Sequence, residues 1–208
     1  RDRSVSRGLG DVYKRQRPDG VIVQLGCGLE TTYHRCDNGK THWYAVDLPH
    51  VIQYRRGLLP EPEREFYISG DAFVKDWIIK VRNDVPDAPV LVTAGGLLHY
   101  FEENKVISLL RMIGQSGNME VVFDTVNKKG MAMMQKKYMK QVGHADAQMF
   151  FYVDAAKELA AKIRGNVKVI AEEPYYRYIP KNGLKLSTKV SMAVSDQFKM
   201  VKMIHLKL

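Results

Sequence analysis

The sequence predicts an α/β fold in which a seven-stranded, mostly parallel sheet with an antiparallel last strand carries helices on both faces. Seven short apolar runs have the length of buried strands, and amphipathic helical segments separate most of them. Strands that alternate with helices are typical of a parallel sheet, because each crossover helix packs back onto it. The predicted strands are residues 21–25, 43–46, 65–68, 90–93, 119–123, 167–171 and 200–208.

Three predicted helices carry apolar residues at spacings of three and four, which places those side chains on one helical face. Pro49 is expected in the first turn of a further helix, and residues 114–117 close a later one. Another helix is expected at residues 154–164. The three apolar faces consist of Val74, Trp77, Ile78 and Val81, of Val106, Leu109, Leu110 and Ile113, and of Met131, Met134, Tyr138 and Val142.

The end of the chain predicts the reversed strand. Two β-like segments follow the helix at residues 154–164, and a polar linker at residues 178–187 separates them. Because no crossover helix is expected directly before the last segment, residues 198–208, that segment can enter the sheet antiparallel. Seven strands with a reversed last one form the Rossmann-like arrangement of S-adenosylmethionine-dependent methyltransferases.

Length and composition predict one domain, residues 17–208, with one sizeable core. No apolar run approaches the ~18 residues of a membrane span, and nothing resembles a signal peptide. Cys27 and Cys36 do not make a disulfide framework, so a reducing cytoplasm is the expected location. We expect no membrane partner and no metal site.

Residues 1–16 are expected to be foreign to the protein. They have no hydrophobic period, and residues 6–16 match one reading frame through the adapter DNA that transposase-based library preparation attaches to sequenced fragments. They account for +3 of the net charge of +9, and the remaining +6 is typical of a mildly basic surface rather than a nucleic-acid-binding one. Under this interpretation the N-terminal helices of the native domain are missing.

A glycine turn followed by a spaced acid predicts a site for an adenosine-bearing cofactor. Gly26 and Gly28 lack Cβ atoms at a turn where the backbone must approach a ligand closely. Asp47, 21 positions after Gly26, ends the second strand and can accept hydrogen bonds from both ribose hydroxyls. Leu48 belongs to the same predicted site. The alternative for Asp47 is a helix cap ahead of Pro49.

An acid after the third strand extends this site. Asp71 can accept a hydrogen bond from the adenine amine, while Phe73 or its neighbour Ala72 covers the ring. The alternative is that Asp71 caps the helix that carries Trp77.

A nicotinamide dinucleotide is the main competing cofactor. Its fingerprint, G-x-G-x-x-G, requires a third glycine where this chain has Thr31. Glu30 would lie near the pyrophosphate and repel it, whereas a methionine tail with an ammonium group tolerates a carboxylate there. This difference in charge favours S-adenosylmethionine.

The loop after the fourth strand is the predicted place of methyl transfer. Ligands of open α/β sheets bind at the carboxyl ends of the strands, so Ala94 and Gly95 are expected beside the cofactor. We predict His99 as a catalytic base and Tyr100 as a catalytic residue that orients the acceptor. The alternative is that His99 is a polar surface residue and Tyr100 belongs to the core.

Four motifs together resemble the leucine carboxyl methyltransferase family, which also includes polyketide O-methyltransferases. The resemblance runs from about Pro18 to Leu208. It implies a class I methyltransferase fold, S-adenosylmethionine as methyl donor and transfer to an oxygen. The motifs are LGCGLETTYHR at residues 25–35, AVDLP at 45–49, SGDAF at 69–73 and TAGGLLHYF at 93–101.

The resemblance also implies roles for single residues. The glycines of the first turn lie along the methionine moiety, Asp47 meets the ribose and Asp71 meets the adenine. The family usually has an acid where this chain has Gly95, so Glu30 is a hypothetical replacement for the contact to the methionine ammonium group. The complete predicted cofactor site is Gly26, Cys27, Gly28, Glu30, Asp47, Leu48, Asp71, Ala72, Phe73, Ala94 and Gly95.

The predicted function is therefore an S-adenosylmethionine-dependent O-methyltransferase that acts on a small-molecule, polyketide-like or protein C-terminal acceptor. The acceptor oxygen is a carboxylate or a hydroxyl such as a phenol. One alternative is a catalytically degenerate domain that only binds the cofactor, and a nicotinamide-dependent oxidoreductase is third. No nucleic acid is expected as a partner.

Overall fold

The structure, a computed structural model, describes residues 20–141 and 148–208, without the side chains of residues 136–141. The expected foreign segment 1–16, the side chain of Tyr138 and Val142 lie outside this description. The strands are Val21–Leu25 (β1), Trp43–Asp47 (β2), Glu65–Ser69 (β3), Val90–Ala94 (β4), Met119–Val126 (β5), Lys168–Pro174 (β6) and Val201–Lys207 (β7). The helices are Thr32–Cys36 (α1), Pro49–Leu58 (α2), Asp76–Asp84 (α3), Glu103–Gly114 (α4), Lys128–Gln141 (α5), Ala156–Ile163 (α6) and Leu186–Gln197 (α7).

The seven strands form one sheet in the order β3-β2-β1-β4-β5-β7-β6. Strands β1 to β5 pair in parallel, and β7 lies between β5 and β6, antiparallel to both. The predicted fold class is confirmed. Because the first five strands run in one direction, the loops that follow β1 to β4 meet at one edge of the sheet.

Helices cover both faces of the sheet. On one face, Trp77 of α3 and Leu110 of α4 pack against the strands in the largest cluster of buried side chains. On the other face, Ile52 of α2 packs against Ala45 and Tyr67. The strand interiors read as continuous apolar runs because a parallel sheet covered on both sides has no solvent face.

The expectation that no helix directly precedes the last strand is wrong, because α7 occupies much of the region between β6 and β7. Its sequence, LSTKVSMAVSDQ, is rich in serine, threonine and valine, which have modest helix propensity. Met192 is its one buried residue, so α7 lacks the broad core-facing stripe by which a helix is recognised.

Val74 is exposed and precedes α3, which begins at Asp76, so it does not belong to the apolar face predicted for that helix.

Within residues 20–141 and 148–208, no helix has the length and apolar character needed to cross a membrane.

Candidate active site

The turn after β1 requires its glycines. Gly26 has φ +64° and Gly28 has φ +48°, in the left-handed region that residues with a Cβ rarely adopt. The Gly26 N–H donates to the carbonyl of Val46, 2.9 Å away, which joins the turn to β2. A Cβ at Gly26 would lie 3.0 Å from the side chain of Leu97, so the missing side chain also lets the loop after β4 approach.

Asp47 connects the end of β2 to this turn. One carboxylate oxygen accepts the Gly28 N–H at 2.8 Å, and the other accepts the N–H of Leu48 at 2.7 Å. The Leu48 side chain is 44% exposed directly before Pro49, the first residue of α2. The carboxylate of Asp47 therefore lies at the glycine turn, and its alternative role beside Pro49 is limited to the N–H of Leu48.

Arg55, which the sequence analysis did not select, contacts the same turn from helix α2. It is a fully buried residue of α2. Its Nη1 donates to the carbonyls of Gly28 at 3.1 Å and Glu30 at 2.8 Å, and its Nη2 donates to the buried carboxylate of Glu65 at 3.0 Å. The guanidinium group thus fixes two peptide units of the turn at once, because its donors have a rigid geometry.

A second turn follows β3. The Asp71 carboxylate accepts the Phe73 N–H at 2.9 Å, and the indole N–H of Trp77 donates to the carbonyl of Ala72 at 2.9 Å. Lys75, not Asp71, is the N-cap residue of α3. The helix-cap alternative for Asp71 is therefore wrong, and the exposed carboxylate belongs to the turn.

An aromatic pair lies beside this turn. The rings of Phe73 and Phe101 have centroids 4.3 Å apart. The ammonium group of Lys105 lies 4.5 Å from the first centroid and 4.7 Å from the second. A cation over two aromatic faces stabilises their mutual orientation.

Cys27 faces the core rather than the ligand edge. Its side chain is completely buried against Ala45, Ile52 and Tyr67. Burial raises the pKa of the Cys27 thiol to about 12, although the charge of Arg55 opposes the shift. Since only a thiolate is a strong nucleophile, Cys27 contributes packing and backbone geometry to the turn.

We expect Cys27 to resist iodoacetamide in the folded protein at neutral pH, because its thiol is buried and protonated. Mass spectrometry of the intact protein and of its peptides measures the labelling. Ser187→Cys, at an exposed position, supplies the positive control, and labelling of Cys27 at the rate of this control would contradict the assignment.

The predicted catalytic residues lie in a short 3₁₀ turn, Leu98–Tyr100, after β4. The rings of His99 and Tyr100 have centroids 4.7 Å apart, and Tyr100 is 40% exposed, so the structure does not place it in the core. The backbone carbonyl of His99 accepts the N–H of Phe150 at 2.8 Å, which anchors the segment that follows α5.

Asp124 of β5, also not selected from the sequence, shares this region. Its carboxylate accepts the Gly96 N–H at 2.7 Å. Burial raises the pKa of Asp124 and lowers the pKa of His99, while the attraction between the two groups opposes both shifts. The His99 imidazole is therefore held in its neutral form, which can accept a proton.

Apart from the side chain of Cys27, which faces the core, the predicted site residues lie at the carboxyl ends of β1 to β4. Ala94 is buried at the end of β4, and Gly95 follows it beside the carboxylate of Glu30. No group of three or more side chains suited to hold a metal ion occurs in the described part of the chain.

Comparison with known proteins identifies the family. A family model described as leucine carboxyl methyltransferase matches residues 6–114, more than half of the chain. The chain belongs to the leucine carboxyl methyltransferase family. The family predicted from the four motifs is confirmed.

Two curated relatives of this leucine carboxyl methyltransferase family member are methyltransferases. One is the tetracenomycin polyketide synthesis O-methyltransferase TcmP of Streptomyces glaucescens, 35% identical over 52% of this chain and 40% of the relative. The other is the S-adenosyl-L-methionine-dependent methyltransferase dpfgK of Gibberella zeae, 30% identical over 73% of this chain and 54% of the relative. The chain thus spans about half the length of the curated relatives it matches.

Solved structures share the fold of this family member at low sequence identity. A Thermobifida fusca protein assigned as a methyltransferase has a TM-score of 0.66 at 14% identity, covering 98% of this chain and 78% of that one. The O-methyltransferase NcsB1 from neocarzinostatin biosynthesis has a TM-score of 0.55 at 14% identity, covering 96% and 52%. At such identities the likeness establishes the methyltransferase fold.

Proposed function

We propose that this protein is an S-adenosylmethionine-dependent O-methyltransferase that acts on a small-molecule acceptor. The closure of the glycine turn by Asp47 carries the proposal, because it puts a carboxylate at the point where the ribose of an adenosyl cofactor lies in such sheets. Family membership and the names of both curated relatives support methyl transfer, and the name of TcmP supports transfer to oxygen.

The residues at the ligand edge fit this cofactor. Gly26 and Gly28 leave room along the methionyl chain, Asp47 meets the ribose hydroxyls, and the exposed Leu48 covers the adenosine. Asp71 accepts from the adenine amine, and the Phe73 ring covers the base.

The charges at the turn separate this cofactor from a dinucleotide. The carboxylate of Glu30 lies beside the end of β4, within 3.8 Å of the position that a Cβ of Gly95 would take. A pyrophosphate at this place would meet the Glu30 carboxylate at short range, whereas the cationic end of a methionyl group is attracted. The site therefore favours S-adenosylmethionine over NAD.

Methyl transfer requires an acceptor oxygen in line with the methyl carbon and the sulfur. When bound, S-adenosylmethionine supplies a methyl group on a cationic sulfur, and the protein contributes mainly by positioning. His99 and Tyr100 follow β4, where Tyr100 orients the acceptor and His99 serves as the base. An ionised carboxylate needs no base, whereas a phenol transfers its proton to the imidazole of His99.

Turnover is the test of this proposal. The protein is incubated with S-adenosylmethionine carrying a tritiated methyl group and with matched naphthoic acids and naphthols, and products are identified by mass spectrometry. Methyl esters or ethers are the expected products, with one equivalent of S-adenosylhomocysteine for each methyl transferred. Tight cofactor binding without transfer to any acceptor would favour the degenerate binding domain instead.

We expect His99→Ala to lower kcat for a phenol acceptor about 100-fold, the size of a typical general-base contribution. The kcat for a carboxylate acceptor should remain nearly unchanged. The variant keeps the backbone carbonyl that accepts the Phe150 N–H, so the loop retains its anchor. Equal losses for both acceptor types would show a structural role.

The pH profile gives an independent measurement of the same role. Burial lowers the pKa of His99 below its ordinary value of about 6.5, so the proton-accepting neutral form persists to lower pH than in a free imidazole. With a phenol acceptor, kcat should stay level through neutral pH and fall only on the acid side of about 6.5. His99→Ala should remove this acidic limb.

A further inference from the structure

We infer that Glu30 and Gln24 form the subsite for the α-ammonium group of the cofactor's methionyl portion, with the carboxylate supplied by the loop after β1 rather than by the end of β4. This inference rests on the proposed function. It adds Gln24, a buried strand residue, to the site, and it assigns the charged end of the cofactor to specific atoms.

The carboxylate of Glu30 lies between Gln24 of β1 and Gly95, which follows β4. Its Oε2 accepts hydrogen bonds from the Gln24 amide and from the Thr32 hydroxyl, the latter at 3.1 Å. Its Oε1 lies 3.8 Å from the position that a Cβ on Gly95 would take. The negative charge thus reaches the end of β4 although β4 itself carries no acid there.

Gln24 supplies a second acceptor next to Glu30, because its amide group donates to the Glu30 carboxylate. Its side chain is 6% exposed, and its Oε1 has no hydrogen-bond partner among the described residues. The amide orientation follows from its neighbour, since only the NH₂ group can donate to the Glu30 carboxylate. A buried acceptor without a donor is unfavourable, so a ligand N–H at this atom would stabilise the site.

Both acceptors match the chemistry of a primary ammonium group. Such a group has three donors and one positive charge, and it needs several oxygen acceptors when it leaves water. Glu30 provides the compensating charge and Gln24 a neutral oxygen. Arg55 fixes the position of this loop, because its guanidinium group donates to the Glu30 carbonyl at 2.8 Å.

Two ligands separate this role from a general role in folding the loop. S-Adenosylhomocysteine carries the ammonium group, whereas 5′-methylthioadenosine has the adenosine and the thioether but no amino-acid portion. Glu30→Ala should weaken binding of S-adenosylhomocysteine about 10- to 100-fold, the range expected for a charge-assisted hydrogen bond. Binding of 5′-methylthioadenosine should not change, and isothermal titration calorimetry measures both.

A relocation variant makes the test sharper. Gly95 does not have a left-handed φ, and Glu30 is the one described residue near a Cβ built there, so a longer side chain fits once Glu30 is shortened. Glu30→Ala combined with Gly95→Glu should recover at least part of the lost affinity for S-adenosylhomocysteine. Gln24→Met should weaken the same ligand to a smaller degree.

The outcomes are distinct. Equal weakening of both ligands by Glu30→Ala, or no weakening of either, would overturn the inference while leaving the proposed function in place. Absence of recovery in the double variant, with its melting temperature equal to that of Glu30→Ala, would also overturn it. Failure of the unmodified protein to bind either ligand would overturn the proposed function and this inference together.

Discussion

Arg55→Met is expected to lower the free energy of unfolding by about 3–5 kcal/mol, the usual cost of removing one partner of a buried ion pair. Arg55 and Glu65 are both almost fully buried, and their side chains meet at 3.0 Å. Burial already raises the pKa of Glu65, against the lowering effect of Arg55. Without the guanidinium group, Glu65 must bury an uncompensated charge or take up a proton.

The adjacent residue offers a matched control. Arg56 also forms an ion pair, with Glu61 at 3.3 Å, but its side chain is 51% exposed. Arg56→Met should therefore cost no more than about 1 kcal/mol. Urea denaturation of both variants measures the difference in the free energy of unfolding. Similar losses for the two variants would contradict the stabilising role of the buried Arg55–Glu65 ion pair.

The double variant Arg55→Met/Glu65→Leu isolates the charge effect. It removes the unpaired carboxylate, so it should be more stable than Arg55→Met alone. Both variants lack the guanidinium donors to the carbonyls of Gly28 and Glu30, so both should bind the cofactor more weakly than the unmodified protein. Recovery of stability without recovery of affinity would separate the two roles of the arginine.

Asp47→Ala is expected to weaken binding of S-adenosylmethionine about 100-fold or more, because each hydrogen bond to a charged group contributes about 1.5–3 kcal/mol. The variant loses both carboxylate oxygens that we propose accept from the ribose hydroxyls, and it leaves the Gly28 N–H without this acceptor. Asp47→Asn keeps one oxygen for that N–H, so it should preserve the turn better and lose less affinity.

Asp84→Ala provides the control for Asp47, since it removes a surface carboxylate of α3 that contacts Lys80 and Tyr44. Its cofactor affinity should equal that of the unmodified protein. Equilibrium dialysis with labelled cofactor measures all three variants. An Asp47→Ala variant that retains full affinity would remove the ribose role of this residue.

Most of the sheet could be predicted because buried parallel strands are short apolar runs between helices and turns. Strand β1 matches its predicted bounds, and β5 extends three residues beyond the predicted end at Phe123. Helix α7 could not be predicted from a buried apolar face. Its apolar residues at a spacing of four, such as Val190 and Val194, face solvent, and Met192 is its one buried residue. Its position depends on tertiary contacts with β6 and β7.

The glycine turn and its acid could be predicted because the residue types and their spacing are visible in the sequence. The contacts of Arg55 with the turn could not be predicted, because Arg55 and Arg56 are adjacent residues of one type. Only the fold decides which of them is buried. Asp124 had one weak signal, because it is one of two acids in a mostly apolar strand. Gln24 had the same kind of signal in β1.

Isothermal titration of the unmodified protein with S-adenosylmethionine, S-adenosylhomocysteine and NADH is the decisive measurement for the cofactor site. We expect saturable binding of the first two ligands at one site and no binding of NADH. Selective binding of NADH would contradict the proposed cofactor and the charge argument at Glu30. Binding of none of the three would contradict the assignment of the glycine turn and Asp47 as a cofactor site.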